Sequence, residues 1–177
     1  MSKAFLLVAI FSILTLAALS QEKAAFENGY VVSVGDMSPD FKINEAAGET
    51  YKLSDLRGKV VMLQFTASWC SVCRKEMPHI ENEVWLPGKQ QGLVVIGVDR
   101  DESEATVLKF RKDMEIIYPL ALDPGAGIFS LFAQKDAGVT RNVIIDRQGK
   151  IIFLTRLFDP AEFDKMKEVI FAALTKK

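Results

Sequence analysis

Residues 59–80 read KVVMLQFTASWCSVCRKEMPHI, and two structural patterns meet at the paired cysteines in this stretch. The mostly apolar run 59–67 is rich in β-favouring residues, which predicts a strand buried on both faces at the centre of a sheet. Between residues 71 and 85, apolar side chains recur at helical spacing among charged ones, and Pro87-Gly88 is expected to end that helix. Cys70 is therefore predicted to lie where a central strand passes into a helix.

The chain after this helix continues to alternate between strands and helices. Residues 93–98, LVVIGV, predict a second buried strand, and a charged helix follows near residues 102–114. The inner face of this helix is expected to carry Val107, Leu108 and Phe110. Such an alternation is typical of an α/β domain.

Shorter elements are predicted on both sides of this central part. Period-two alternation in residues 41–43 and 51–53, around a turn-rich segment, predicts a short β-hairpin. Asp159 as N-cap and Pro160 at the first helical position are expected to begin a final helix. Strands are expected at residues 119–122, 143–146 and 151–155, with a turn at 147–150. The apolar stripe of the final helix is Phe163, Met166, Val169, Ile170 and Leu174.

The composition is that of one globular domain. The chain has 177 residues, of which 49% are hydrophobic and 25% are charged, and no repeat, low-complexity segment or long linker divides it. The formal net charge is -1, so the chain has no basic excess that would attract a nucleic-acid backbone. Nucleic acid is therefore not an expected partner, and a monomer is expected.

The first 20 residues have the pattern of a secretory signal peptide. Lys3 precedes an uncharged apolar run that ends at Leu19, and Ala18 and Ser20 supply the small residues that a signal peptidase prefers. At about 16 residues, this run is shorter than the roughly 20 that a membrane-spanning helix needs. Residues 1–20 are therefore predicted to be a signal peptide and residues 21–177 an exported, periplasmic domain, with an uncleaved N-terminal anchor as the alternative.

The candidate chemistry is concentrated at Trp69-Cys70-Ser71-Val72-Cys73. Unpaired N–H groups at a helix start carry partial positive charge, which lowers a thiol pKa from about 8.5 into a range of roughly 3.5 to 7.5. Cys70 is therefore the predicted attacking thiolate. Cys73, one helical turn later, is placed to displace a mixed disulfide on Cys70 and release a reduced substrate.

Two other uses of the cysteine pair fit the sequence less well. A structural zinc site needs four ligands, and the chain offers only these two Cys and the single His79. A purely structural disulfide would close too short a loop to remove much entropy from the unfolded chain. The pair is therefore predicted to act as a redox-active dithiol, with no cofactor and no metal.

The active-site segment resembles that of the thioredoxin superfamily, W-C-x-x-C-[KR] with a later kink proline. Residues 69–74 match this motif, and Pro78 stands five residues after Cys73. Over residues 34–174, the chain is similar to the TlpA-like, AhpC/TSA-related branch of exported thioredoxin-fold proteins. Supporting segments are residues 35–41, 53–59 and 144–150, which read GDMSPDF, LSDLRGK and IIDRQGK.

This resemblance implies a thioredoxin-like α/β fold. A central mixed β-sheet would be flanked by helices on both faces, with the β-hairpin as an N-terminal extension. The resemblance also implies thiol-disulfide exchange with oxidised protein substrates and a membrane thiol as the electron donor. An exported enzyme of this kind fits the signal sequence, because protein disulfides form and are corrected outside the cytoplasm.

The acid-base residues depart from the thioredoxin pattern. Where thioredoxins place a buried Asp, six residues before the first Cys, this chain has Gln64, an amide that does not titrate. Glu76, three residues after Cys73, matches an acidic position of the cytochrome-maturation relatives and is the candidate proton acceptor for Cys73. A solvated helix carboxylate is the alternative for Glu76. His79 is interpreted as an ordinary surface histidine, with tuning of the site as the alternative.

The loop before the last pair of strands departs from the pattern as well. The family has a cis-proline there, and the backbone beside it pairs with substrate, whereas this chain has Thr140. A cis bond before a residue other than proline costs about 2.5 to 4 kcal/mol, so either the surroundings enforce it or the bond is trans. Trp69, Val139 and Thr140 are the candidate substrate-binding residues. Arg141 is either a thiolate-stabilising residue, as in related peroxidases, or a solvent-facing arginine.

The predicted function is an exported thiol-disulfide oxidoreductase that reduces protein disulfides. A thiol peroxidase of the AhpC/TSA type is an alternative, although Cys70 lacks the Thr-x-x-Cys spacing and the packed Pro of that pattern. A non-catalytic binding module is a third interpretation, which two thiols one turn apart argue against. Reduction potentials of CxxC proteins span about -270 to -120 mV, and the Ser71-Val72 dipeptide leaves the direction of electron flow open.

Overall fold

The computed structural model describes residues 28–46 and 48–176. Its main sheet has five strands in the order β5-β4-β3-β6-β7, and β1 and β2 form a separate two-stranded sheet. The strands are β1 Lys42–Asn44, β2 Thr50–Lys52, β3 Val60–Thr66, β4 Leu93–Arg100, β5 Leu120–Asp123, β6 Arg141–Ile145 and β7 Ile151–Arg156. The predicted signal peptide lies outside the described residues.

The main sheet is mixed, as predicted. Strand β3 pairs in parallel with β4, and β4 pairs in parallel with β5. On the other side, β3 pairs antiparallel with β6, and β6 pairs antiparallel with β7. The α-helices are α1 Ser71–His79, α2 Leu86–Gly88, α3 Glu104–Asp113, α4 Phe129–Phe132 and α5 Pro160–Thr175. The chain therefore has the thioredoxin-like α/β architecture that the motif implied.

Strand β3 is the centre of the molecule, because all of its residues are buried. Successive side chains of a strand point to opposite faces, so β3 serves two cores. Val61, Leu63 and Phe65 contribute to one core, and Val60 and Met62 contribute to the other. The second core is covered by α1, α3 and α5, whereas the first is covered by the N-terminal segment, the hairpin and the short helix α4. Helices therefore flank both faces, with the longer ones on one side.

The helical run that begins with α1 is longer than predicted. It continues from α1 as a π-helical segment, Ile80–Trp85, and then as α2 and a 3-10 turn, Lys89–Gln91. The prediction that Pro87-Gly88 ends the helix is therefore wrong. Pro87 lies in the first turn of α2, where a missing N–H is tolerated. Gly92, with a left-handed φ of 92°, ends the run.

The helix α3 corrects a second prediction. Val107 and Phe110 are buried as expected, but Leu108 is 42% exposed. Consecutive helical residues differ by about 100° around the axis, so Leu108 falls outside the buried stripe. The helix starts at Glu104, later than predicted, because β4 extends to Arg100 and Ser103 acts as N-cap.

The predicted hairpin and final helix are both confirmed. Strands β1 and β2 pair antiparallel, with Ile43 opposite Tyr51. Asp159 caps α5 by accepting a hydrogen bond from the backbone N–H of Glu162 at 2.9 Å. Four of the five predicted stripe residues of α5 are buried, namely Phe163, Met166, Ile170 and Leu174. Within residues 28–46 and 48–176, no helix is both long and apolar enough to cross a membrane.

Candidate active site

The two cysteines lie where β3 passes into α1, as predicted. Cys70 is the N-cap residue of α1, and its Sγ accepts a hydrogen bond from the backbone N–H of Cys73 at 3.1 Å. The two sulfurs form a disulfide with an S–S distance of 2.19 Å. Both residues are buried, with Cys73 completely covered. The backbone of the first helical turn therefore directs a donor at the Cys70 sulfur.

Thr140 contacts both sulfurs. Its hydroxyl Oγ1 lies 3.2 Å from Cys70 Sγ and 3.3 Å from Cys73 Sγ. The described part of the chain contains no cis peptide bond, so the bond between Val139 and Thr140 is trans. Where the family has a proline ring, this protein therefore presents a hydroxyl group that can donate a hydrogen bond to either sulfur. Val139 and Thr140 are both buried.

The loop before Cys70 combines an exposed aromatic residue with a fixed backbone. Trp69 is 65% exposed beside the buried cysteines. Ser68 donates to the Glu102 carboxylate twice, from its backbone N–H at 2.5 Å and from its hydroxyl at 2.6 Å. Arg74 donates to the Ser68 carbonyl oxygen at 3.3 Å. Glu102 was not among the predicted site residues, because its contact with Ser68 spans 34 residues of chain.

Glu76 lies inside the protein, one helical turn beyond Cys73. Its side chain is only 1% exposed, so the alternative of a solvated helix carboxylate is wrong. Asn142 Nδ2 donates to Glu76 Oε1 at 2.6 Å, and Gln64 Nε2 lies 3.4 Å from Glu76 Oε2. Burial raises the pKa of Glu76 to about 7, against the lowering effect of these two amide donors. The carboxyl group can therefore exchange a proton near neutral pH.

Two residues around Glu76 were missed by the sequence analysis. Asn142 lies opposite Gln64 in the β3–β6 ladder, and Tyr118 donates to Gln64 Oε1 at 2.8 Å. All three side chains are completely buried. The only signal in the sequence was a polar residue inside an apolar strand, which marked Gln64 but did not connect it to Asn142 or Tyr118.

The comparisons with known proteins agree with this geometry. A model described as the AhpC/TSA family matches residues 34–154. The chain belongs to the AhpC/TSA family. Thiol-disulfide oxidoreductase ResA of a Bacillus cereus strain is 33% identical to it over 121 residues, which cover 68% of each chain.

Two solved structures resemble this AhpC/TSA family member closely. A proposed protein disulfide isomerase from Bacteroides thetaiotaomicron is 54% identical with a TM-score of 0.81, covering 84% of this chain and 94% of that one. A proposed thiol:disulfide interchange protein DsbE from Chlorobium tepidum is 33% identical with a TM-score of 0.72, covering 81% and 99%. Together with the paired cysteines, these relatives show that the protein is a thiol-disulfide oxidoreductase with a thioredoxin-like fold.

Arg141 of this AhpC/TSA family member fits neither of its predicted placements. The residue is buried rather than solvent-facing, and its guanidinium carbon lies 4.6 Å from the centre of the Tyr30 ring. Its Nε donates to the Gly138 carbonyl oxygen at 3.0 Å. The contacts of Arg141 are thus with Tyr30 and Gly138 and not with the sulfurs, which removes this support for a peroxidase.

His79 lies at the surface, as predicted. Its side chain is 49% exposed and its Nδ1 lies 2.7 Å from Glu83 Oε1. The His79 ring also packs against Phe158, with the ring centres 5.0 Å apart. These contacts join the end of α1 to the π-helical segment that follows it and to the residue just before the Asp159 cap of α5. Within the described residues, no group of three or more His, Cys, Asp and Glu side chains could hold a metal ion.

A second buried carboxyl group lies at the end of β4. Asp99 is completely buried, and neither of its carboxylate oxygens has a hydrogen-bond partner among the described residues. Burial, and then the nearby charge of Glu102, raises the pKa of Asp99 to about 8. Asp99 pairs with Thr66 in the sheet, which places it close to the loop that leads into Cys70.

Proposed function

We propose that this thiol-disulfide oxidoreductase is an exported reductase of protein disulfides, with Cys70 as attacking thiolate, Cys73 as resolving thiol and Glu76 as proton acceptor. The observation that carries the proposal is the arrangement along α1. A cysteine at the N-cap receives a backbone N–H, a second cysteine follows one turn later, and a buried carboxyl group follows after another turn.

The proposed reaction has two exchange steps. In the first, the Cys70 thiolate attacks one sulfur of a substrate disulfide, so a mixed disulfide forms and the other substrate sulfur leaves as a thiolate. In the second, Cys73 attacks Cys70 Sγ, the mixed disulfide breaks, and the second substrate sulfur leaves. The substrate gains two electrons, and the protein is left with the Cys70–Cys73 disulfide.

The second step requires that Cys73 lose a proton. Cys73 is completely buried, so bulk water does not reach its sulfur to take up this proton. Glu76 has a pKa of about 7, so near neutral pH a substantial fraction is ionised and can accept this proton. Gln64 stands where thioredoxins have their acid and does not titrate, so Glu76 takes over that role in the proposal.

The proposed docking site lies around the exposed Trp69. Thr140 and Val139 form the adjacent loop, and the Thr140 carbonyl oxygen already accepts a hydrogen bond from Leu157 N–H at 3.1 Å. We therefore assign backbone pairing with the substrate to Val139 and the polar contact near the sulfurs to the Thr140 hydroxyl. The Trp69 ring supplies apolar contact area.

The cellular setting is also part of the proposal. The signal-like sequence of residues 1–20 supports export to the periplasm. A reductase in that compartment needs a supply of electrons, and we propose a membrane thiol protein as donor and oxidised proteins as substrates, with the enzyme acting as a monomer.

The reduction potential tests the direction of electron flow. The protein is equilibrated in glutathione or dithiothreitol redox buffers. The free thiols are then alkylated, and the oxidised fraction is measured by mass spectrometry. A potential of about -250 mV or lower is expected for a reductase. A potential of about -150 mV or higher would contradict the proposed direction and identify a disulfide donor.

A further inference from the structure

We infer that Tyr118 is a positioning residue that sets the protonation state of Glu76 by fixing the orientation of the Gln64 amide. This inference rests on the proposed function, because it assumes that Glu76 accepts the Cys73 proton. Tyr118 lies just before β5, outside the active-site motif, and neither the relatives nor the motif assign it a role.

A continuous hydrogen-bonded path joins Tyr118 to Glu76. The Tyr118 hydroxyl donates to Gln64 Oε1 at 2.8 Å. The same amide presents Nε2 to Glu76 Oε2 at 3.4 Å, while Asn142 Nδ2 donates to Glu76 Oε1 from the other side at 2.6 Å. All four side chains are buried, so solvent does not compete for these contacts.

The orientation of the Gln64 amide decides which form of Glu76 it favours. With its NH2 group toward Glu76, the amide stabilises the carboxylate; with its oxygen toward Glu76, it would accept a hydrogen bond from the protonated acid. The Tyr118 hydroxyl hydrogen has Gln64 Oε1 as its acceptor among the described residues. This hydrogen bond holds the amide in the first orientation, and therefore favours the proton-accepting form of Glu76.

The surrounding backbone is shaped to hold Tyr118 in place. Gly97 is the register partner of Gln64, and a Cβ atom on Gly97 would overlap the Leu120 side chain but would lie 3.5 Å from Tyr118 Cε2, an ordinary van der Waals distance. Glu81 accepts from the backbone N–H groups of Ile117 and Tyr118, at 3.0 and 3.5 Å.

The segment that carries Glu81 links this arrangement to the active-site helix. Glu81 belongs to the π-helical segment Ile80–Trp85, which directly continues α1. Such segments inside helices are frequent at functional sites. One continuous helical run therefore provides Cys73, Glu76 and, further along, the carboxylate that anchors the backbone of Tyr118.

Other charges reach Glu76 from the elements packed around it. Glu162, on α5, raises the pKa of Glu76, and His79, on α1, lowers it. Burial raises the pKa of Tyr30, on the N-terminal segment, and the charge of Glu76 raises it further. Burial likewise raises the pKa of Tyr118, and the charges of Glu76 and Glu81 add to this effect. None of these groups is removed by a change at Tyr118, so a Tyr118 variant changes the orientation of the amide without changing the charges.

The variant Tyr118→Phe tests the inference. Without the hydroxyl, Gln64 Oε1 loses its donor and is satisfied by turning toward a protonated Glu76, so the pKa of Glu76 is expected to rise by about one unit. The rate of protein-disulfide reduction should fall about fivefold near pH 7, because the ionised fraction of Glu76 falls from about one half to about one tenth, and should approach the wild-type rate at higher pH. The carbon-13 shift of the Glu76 carboxyl group should show the same displacement of its titration.

Three further variants make the result interpretable. Tyr51→Phe is the matched control, because it removes a hydroxyl that donates to Glu45 in the hairpin, and it should leave the pH profile unchanged. Gln64→Met removes the amide, so it should also raise the pH at the midpoint of the Glu76 titration. Adding Tyr118→Phe to Gln64→Met should then cause no further shift of this midpoint. Glu76→Gln should remove altogether the inflection in the exchange rate as a function of pH.

The possible outcomes separate the inference from the proposed function. If Glu76→Gln removes the inflection but Tyr118→Phe titrates like wild type, the role of Tyr118 is overturned while that of Glu76 stands. If Glu76→Gln keeps the inflection, the proposed proton acceptor is wrong. If Tyr118→Phe does not fold, the Gln64→Met variant provides the test. An unchanged midpoint of the Glu76 titration in Gln64→Met would then overturn the inference.

Discussion

The polar side chains at the two ends of the central sheet differ in burial and in hydrogen bonding. Where β3 finishes, near the cysteines, Asp99, Arg141 and Asn142 each keep at least one buried polar atom without a hydrogen-bond partner among the described residues. Glu76 lies at the same end, buried and with a raised pKa. This end of the sheet therefore holds polar groups under conditions that cost stability.

At the opposite end, where β3 begins, Arg147 and Asp146 are only partly buried and are hydrogen-bonded. Arg147 donates to the carbonyl oxygens of Gly58, Lys176 and Leu174, at 2.6, 3.2 and 3.0 Å. Asp146 accepts from the backbone of the β6–β7 turn, including Lys150 N–H at 2.8 Å. These contacts tie the turn to the start of β3 and to the end of α5.

This difference indicates that the cysteine end of the sheet serves the chemistry and that the opposite end serves stability. A buried polar group without a partner costs about 1–3 kcal/mol, so its retention points to chemistry rather than to stability. Changes at the cysteine end should therefore alter exchange and leave stability unchanged or higher. Changes at the opposite end should lower stability and leave exchange unchanged.

The largest expected effect is that of Glu76→Gln. The variant should reduce protein disulfides about a hundredfold more slowly than wild type near pH 7, because the Cys73 proton loses its acceptor. The exchange rate as a function of pH measures this effect. Glu83→Gln, at an exposed carboxylate further along the same helical run, is the control and should keep the wild-type rate.

The same variant predicts a gain in stability. The native pKa of Glu76, about 7, lies above its ordinary value of 4.5, so the native state holds the proton longer than the unfolded state. Stability is therefore lost as the pH rises from about 4.5 to about 7, and Glu76→Gln should not show this loss. A Glu76→Gln protein that is less stable than wild type above pH 7 would contradict the contrast between the two ends.

Arg147→Ala should lower the stability of the protein and leave its exchange rate unchanged. Loss of three hydrogen bonds from one guanidinium is expected to lower the free energy of unfolding by about 2 kcal/mol, which is roughly a 30-fold change in the equilibrium constant. The exchange rate per folded molecule should stay at the wild-type value. Denaturant unfolding and the exchange assay at a temperature where the variant is folded test both parts. A slowed exchange rate would show that the two ends are coupled.

Thr140→Val tests the hydroxyl group beside the sulfurs. A hydrogen bond to a charged sulfur is worth about 1.5 kcal/mol, so the variant should exchange about tenfold more slowly and have a less stable thiolate. Absorbance titration of the reduced protein measures the thiolate, and Thr140→Ser, which keeps the hydroxyl, should behave like wild type. Equal rates for the Val and Ser variants would remove the hydroxyl from the mechanism.

Asp99→Asn tests the second buried carboxyl group at the cysteine end. The Asp99 pKa of about 8 lies above its ordinary 3.8, so stability is lost as the pH rises from about 4 to about 8. The variant should escape this loss and be more stable than wild type at pH 8, while the two proteins converge near pH 4. Thermal unfolding at both pH values tests this. A variant destabilised at pH 8 would show that the Asp99 carboxylate has a stabilising role.

Local features of the molecule were predictable from the sequence. The apolar run of β3, the period-two pattern of the hairpin and the Asp159-Pro160 start of α5 each contain their own structural signal within a few residues. The Cys70–Cys73 pair was predictable for the same reason, because both its spacing and its helix start are local. Glu76 was found because it stands one helical turn after Cys73, at a position where the resembling cytochrome-maturation relatives have an acidic residue.

Features that depend on distant contacts were not predictable in this way. Tyr118 contacts Gln64 although the two residues are 54 positions apart, because β3 pairs with β4 and β4 pairs with β5. Asn142 reaches Glu76 across 66 positions, and Arg141 packs on Tyr30 through the same kind of long-range folding. The π-helical continuation of α1 was also missed, since its apolar spacing differs little from that of an α-helix.

Trapping of the mixed disulfide tests the central assignment most directly. Reduced Cys70→Ser and Cys73→Ser variants are mixed with an oxidised model protein such as insulin, and covalent adducts are measured by mass spectrometry. The account predicts that Cys73→Ser accumulates an adduct through Cys70, whereas Cys70→Ser forms almost none. Accumulation of the adduct in Cys70→Ser but not in Cys73→Ser would reverse the roles of the two cysteines and contradict the account.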